Sequence, residues 1–225
     1  MTAASASQQV REKPDTVLIA CAALGKEVRH IIRRNGWDVD LRVISARLHL
    51  RPPKIAGAVE EKLIETKDDY ERQIVLYGHC GAMDLDETLA RHGAKRTLGP
   101  HCYEMYGGEE FAKAVREVPG TFILTDFLVK AWETLAVKGL KLDKHPKLIP
   151  LLFANYKRMM YFSQEEDEKL VVEARRIAES IGLPLEIKHT GYGDLERRLV
   201  ALMNGEEQPT SSMTYDAYMP YPTAG

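Results

Sequence analysis

The sequence predicts an α/β protein, a mostly parallel sheet with helices on both faces, of the Rossmann-like kind. Short apolar runs rich in β-branched residues alternate along the chain with stretches of helical periodicity. Those stretches are long enough to serve as crossovers, which parallel strands require and antiparallel hairpins do not. Several runs are apolar throughout instead of alternating, the pattern of strands covered on both faces.

The elements follow in order. TVLIACAAL (16–24) is the first strand, and GKEVRHIIRRN (25–35) keeps helical spacing until Gly36. VDLRVIS (39–45) alternates as a half-buried strand does. RPPKIAGAVEEKLIETKDDY opens with proline where a helix start tolerates it, and places Ile55, Val59, Leu63 and Ile64 on one face. RQIVLYGHCG (72–81) is a buried-type strand ending in glycine, and DLDETLARHG is a short helix ending at Gly93. AKRTLGPHC supplies a further strand and turn, then YEMYGGEEFAKAVREVPG a helix closed by Pro119 and Gly120. TFILTDFLVKAWETLAVKGL runs from strand into helix with Thr125 or Asp126 as N-cap. HPKLIPLLFANYKRMMYFSQ divides into a short helix around 146–156 and a strand from Arg158 to Phe162. EEDEKLVVEARRIAESIG is an amphipathic helix ending at Gly182, LPLEIKHTG a strand, and GDLERRLVALMNG the last helix.

The 225 residues, 44% hydrophobic and 28% charged, suffice for one large domain with a buried core. One domain over 15–204 is expected, with a division into two lobes near 119–150 as the alternative. Residues 1–14 are polar, lack the apolar segment of a signal peptide and read as a disordered leader; 205–225, polar and proline-containing, read as a disordered tail. No apolar run approaches the ~18 residues of a membrane span, so no membrane partner is expected. With a net charge of −2 and a basic run, Lys138 to Lys147, broken by Leu140, Leu142 and Asp143, no nucleic-acid partner is expected either. Three cysteines cannot all pair, which points to a reducing, cytoplasmic setting with thiols that are free, metal-bound or catalytic.

All three cysteines occupy one kind of position. Cys21 closes VLIAC, Cys80 follows IVLYGH and Cys102 follows RTLGPH, each at or just beyond a strand's carboxyl end and before a helix. In open α/β sheets ligands bind at that rim, and helix N-termini there favour thiolate over thiol. Thiolates are soft ligands, and catalytic zinc keeps three protein ligands with one open position. Cys21, Cys80 and Cys102, with His79 or His101 as a further ligand or an orienting neighbour, therefore form a candidate Zn2+ site. An iron–sulfur cluster on the same thiolates is the alternative. Simple packing is another, because free cysteine is among the most buried residue types. No C-x-x-C is present, and neither a G-x-G-x-x-G nor a G-x-S-x-G pattern supports nucleotide binding or serine hydrolysis.

Other strand ends offer contacts for a small-molecule substrate: His49 and Arg51 in RLHLRPP, where Arg51 can hold a carboxylate, Tyr103, Asp126 in LTDFL, and His189 and Tyr192 in KHTGYGDLE. Turn and capping roles are the alternatives for these residues.

LIACAAL, LHLRP, YGHCG, GPHCYE, PGTFILTDFLVK, KGLKLDKHPKL, NYKRMMYFSQ and TGYGDLE, taken in this order, resemble the bacterial and archaeal domain-of-unknown-function family 1638 over residues 15–200. The second cysteine motif departs from that family's more frequent Y-G-D-C-G, having His79 in place of the acidic residue and Ala82-Met83 where further glycines stand. Members of the family are often encoded beside corrinoid-dependent methyltransferases. The resemblance thus implies a role in corrinoid-linked one-carbon metabolism, as methyltransferase or accessory factor, with a corrinoid protein or corrinoid methyltransferase as partner and a possible corrinoid contact.

Overall fold

A computed structural model describes residues 13–214. The leader expected over 1–14 and the end of the tail fall almost wholly outside those residues. The α/β class is as expected, but the strands form two sheets, not one. The first contains β1 (Thr16–Cys21), β2 (Asp40–Ile44), β3 (Arg72–Leu76) and the two-residue β4 (Lys95–Arg96), in the order β2-β1-β3-β4 and parallel throughout. The second contains β5 (Thr121–Thr125), β6 (Arg158–Ser163) and β7 (Leu185–His189), parallel in that order.

Helices α1 (Gly25–Asn35), α2 (Ile55–Thr66) and α3 (Leu85–Arg91) connect the first sheet. The α1 helix stops where Gly36 adopts φ 64°, satisfying the last carbonyls from its own N–H. Every residue of β1 is buried, as a central parallel strand with helices on both faces must be. Because the chain steps from β1 to one neighbour, β2, and then back across to the other, β3, the strand order reverses between β1 and β3. That crevice is the topological switch point of the sheet, where α/β proteins place ligands.

α4 (Cys102–Glu117) joins the two sheets. Its backbone breaks at Gly108, with φ 49° and ψ −130°, a region essentially reserved for glycine. The break lets one helix serve two cores: Met105 and Tyr106 pack with the first sheet, Phe111, Ala112 and Ala114 with the second. In the second sheet α5 (Asp126–Trp132) starts from Thr125, whose hydroxyl accepts the Leu128 N–H at 3.4 Å. A π-helical turn over Glu133–Val137, α6 (Ile149–Leu152) and α7 (Glu168–Ile181) follow. The last helix, α8 (Gly193–Asn204), leaves the second sheet and returns to the first, burying Leu195, Leu199 and Leu202 in its core.

A buried ion pair fixes that return. Arg198 of α8 and Glu104 of α4, both fully buried, meet in a bidentate contact at 2.6 and 2.9 Å. Residues 205–214, expected to be disordered, cross this pair: Ser212 donates to Glu104 from its N–H (2.8 Å) and its hydroxyl (3.0 Å), and Met213 is buried against the second sheet. Among the described residues no helix is long and apolar enough to cross a membrane.

A thiol-lined cleft at the switch point

The loops that follow β3 and β4 are laced together. The His79 N–H donates to the Gly99 carbonyl (3.1 Å) and the Cys80 N–H to that of Pro100 (2.7 Å). Gly78 permits this approach, since a Cβ there would lie 2.3 Å from the His101 Cα. Cys80 is held at φ 49°, in the left-handed region that a non-glycine residue enters only when its surroundings impose it. Its bond to Pro100 ties it to the loop that leads into Cys102, the first residue of α4. Cys21, at the end of β1, accepts the Ala23 N–H on its sulfur at 3.4 Å and so caps the turn that leads into α1. The three thiols lie within electrostatic reach of one another, with the buried Tyr77 hydroxyl among them.

Their protonation differs from expectation. Burial outweighs the helix and backbone dipoles: it pushes the Cys21 thiol up to about 11 and moves Cys80 and Cys102 upward as well. All three are therefore neutral thiols at pH 7 instead of the thiolates expected at helix starts. Burial likewise holds His101 neutral, with its pKa down to about 3.

Beside these loops, between the two sheets, lies a cavity of about 350 Å3. One end presents Cys80, Cys102, His49, His101, Tyr103 and Thr125. The other is a wall of Phe122, Phe127, Leu128, Trp132, Leu135 and Phe153, where Phe122 meets Trp132 and Phe153 edge-on at 6.0 and 5.5 Å. Among the described residues that line it there is no Asp, Glu, Lys or Arg. His49 is placed by a 2.9 Å bond from Nδ1 to the Ala46 carbonyl and stacks on Tyr77 at 5.8 Å.

The structure thus brings Cys80, Cys102, His49, His101 and Tyr103 to one end of one cleft, with Cys21 and His79 close behind. The remaining candidates lie elsewhere. Arg51 is exposed and lies outside the lining. Asp126 is buried and saturated, accepting the Tyr161 hydroxyl (2.6 Å) and the N–H groups of Gln164 (3.0 Å) and Glu165 (3.0 Å). His189 and Tyr192 stand at the end of β7 and before α8, with Tyr192 edge-on to His30 at 5.3 Å.

Among the described residues no three His, Cys, Asp or Glu side chains are arranged to hold a metal ion, and the Cys21 sulfur is engaged with Ala23. Cys80 and Cys102 line the cleft, and Cys21 lies outside its lining.

Two features of the site escaped the sequence reading. Glu27 is buried near Cys102 and Tyr106, with its carboxyl pushed upward by burial. Its signal is its register, four residues before Ile31 on the inward face of α1. The aromatic wall carried no separate signal, because Phe122, Trp132 and Phe153 also pack as core.

Comparison with curated proteins finds no match, and comparison with solved structures finds none. One family profile matches, over residues 43–199, a span that takes in the Cys80 and Cys102 loops, the first sheet in part, the whole of the second and the start of α8. By that match the chain belongs to the family described as protein of unknown function (DUF1638).

Proposed function

We propose that the protein binds an uncharged, largely apolar small molecule in the cleft between its two sheets, with the ligand's polar end against the thiols. One observation carries this reading: a cavity of about 350 Å3 at the switch point, with an aromatic wall and no charged side chain in its lining. That size and composition are those of small-molecule sites. A ligand bearing a charge would have to leave it unpaired in an apolar enclosure, which costs several kcal/mol or more. The test is fluorescence titration of the full chain with Nile red, an uncharged apolar dye. Saturable binding is expected, weakened at least about tenfold by Ala136→Phe, which fills the cavity from its lining. Absence of saturable binding, or equal binding by the variant, overturns the proposal.

A second reading keeps the metal. Zinc, or an iron–sulfur cluster in its place, would be held by Cys21, Cys80 and Cys102 with His79 or His101 nearby, and would supply Lewis-acid or redox chemistry. The nearness of the three thiols to the Tyr77 hydroxyl favours it; that no three His, Cys, Asp or Glu side chains among the described residues are arranged to hold an ion counts against it. Metal analysis of anaerobically prepared protein decides: about one zinc per chain, or a coloured cluster, supports this reading, and metal-free protein removes it. A role in corrinoid-linked one-carbon metabolism, with a corrinoid protein as partner, rests on the family resemblance alone, and a cytoplasmic setting on the count of three cysteines.

A further inference from the structure

Of the three thiols, two differ from the third in what they face. Cys80 and Cys102 line the cavity, whereas Cys21 does not and is engaged with Ala23. The Cys80–Cys102 pair is also built with care. The Cys80 N–H is bonded to the carbonyl of Pro100, two residues before Cys102, so the two cysteines are tied to one laced pair of loops. Gly78 is required by contact with His101, and Cys80 is forced into a left-handed backbone. Strain of this kind persists where the surroundings hold a side chain in one place, and it clusters at functional sites. The result is a rigid pair of thiols at one end of an aromatic cavity that offers no charge.

We propose that Cys80 and Cys102 form a dithiol clamp for an uncharged ligand made of a soft metal or metalloid centre bearing an apolar organic group. The clamp rests on the cleft reading above and names the ligand class for it. A soft centre with two exchangeable bonds suits two thiols. An aryl arsenic(III) oxide shows the balance: two sulfur–arsenic bonds form and the arsenic–oxygen bond breaks. The two thiol protons leave with the oxygen as water, and no atom changes oxidation state. The adduct is uncharged, as a cavity without ionic side chains demands, and the organic group lies against Phe122, Trp132 and Phe153.

The probe is phenylarsine oxide added to the reduced full-length chain, read by intact mass and by competition with 1,3-propanedithiol. One adduct per chain is expected, with Cys21→Ser binding as the parent does. Cys80→Ser and Cys102→Ser should each weaken binding about 100-fold or more, because a single sulfur loses the intramolecular second bond. Cys80→Gly, which accepts the left-handed backbone, repeats the test should the serine variant fold poorly. A methyl arsenical should bind more weakly than the phenyl compound. Loss of the adduct only in Cys21→Ser, undiminished binding by Cys80→Gly, or no preference for the aryl group overturns the clamp. If the arsenical fails while Nile red still binds, the clamp is wrong and the cleft stands; if both fail, the cleft reading falls too.

Discussion

Arg198 and Glu104 show how much can hang on two side chains. Both are fully buried, and the pair joins α8 to α4 while the segment 205–214 closes over it. Burial alone would raise the Glu104 carboxyl, but the Arg198 guanidinium and the Ser212 donors outweigh it and leave the pKa below its ordinary value. Removing one partner strands the other charge, so Arg198→Met should cost about 3–5 kcal/mol in urea unfolding; a loss below about 1 kcal/mol would show that the pair is dispensable. Cys21 gives a prediction at the alkaline end. Its folded pKa, about 11, lies above the ordinary 9.0, so the folded state holds the proton longer than the unfolded chain. Stability should therefore fall as pH rises from 9 to about 11, by up to about 1.4 kcal/mol per pH unit from this group, and Cys21→Ala should flatten that slope. An unchanged slope in the variant would remove Cys21 as its source. At this scale the placing of the cysteines between strand ends and helix starts was legible, because each closes or follows an apolar run. Their protonation was not, since burial depends on what the far sheet brings.

At the scale of elements, the strand and helix order was legible almost throughout, including Gly36 and Gly182 as helix ends and Thr125 as an N-cap. Three features were not. The strand expected in AKRTLGPHC shrinks to Lys95–Arg96, because residues 97–101 turn to lace onto the Cys80 loop. The helix expected in YEMYGGEEFAKAVREVPG breaks at Gly108 to reach a second core. The helix after Asp126 loosens into a π turn at Glu133–Val137, where it borders the cavity; such turns often mark functional sites. Gly108→Ala should destabilise by about 1–3 kcal/mol, measured by thermal unfolding, because φ 49° with ψ −130° excludes a Cβ. A neutral effect would mean that the helix straightens freely. Gly78→Ala should push the His101 backbone away and weaken Nile red binding several-fold, with a loss of stability at least as large as that of the Gly108 variant, because its Cβ meets backbone atoms and not a side-chain tip. Binding equal to the parent's would separate the loop contact from the cleft.

Over the whole molecule, two parallel sheets with separate cores are held together by a kinked helix, a returning helix and a buried ion pair. The sequence could not show the division, because every run of strand and helix in it fits either one sheet of seven strands or two smaller ones. Only strand pairing decides between them, and pairing is a long-range property. The cleft between the sheets is equally long-range: Cys80 and Cys102 come from the first half of the chain, Phe122, Trp132 and Phe153 from the second. The central claim, that this cleft takes up an uncharged apolar ligand beside its thiols, is tested most directly by energy transfer. Trp132 lines the cavity, whereas Trp37 packs against the first core. Titration with an uncharged apolar fluorophore that absorbs tryptophan emission should give saturable one-site transfer, mostly abolished by Trp132→Phe and largely kept in Trp37→Phe. Transfer that does not saturate, or that survives in Trp132→Phe and disappears in Trp37→Phe, would place the ligand elsewhere and contradict the account.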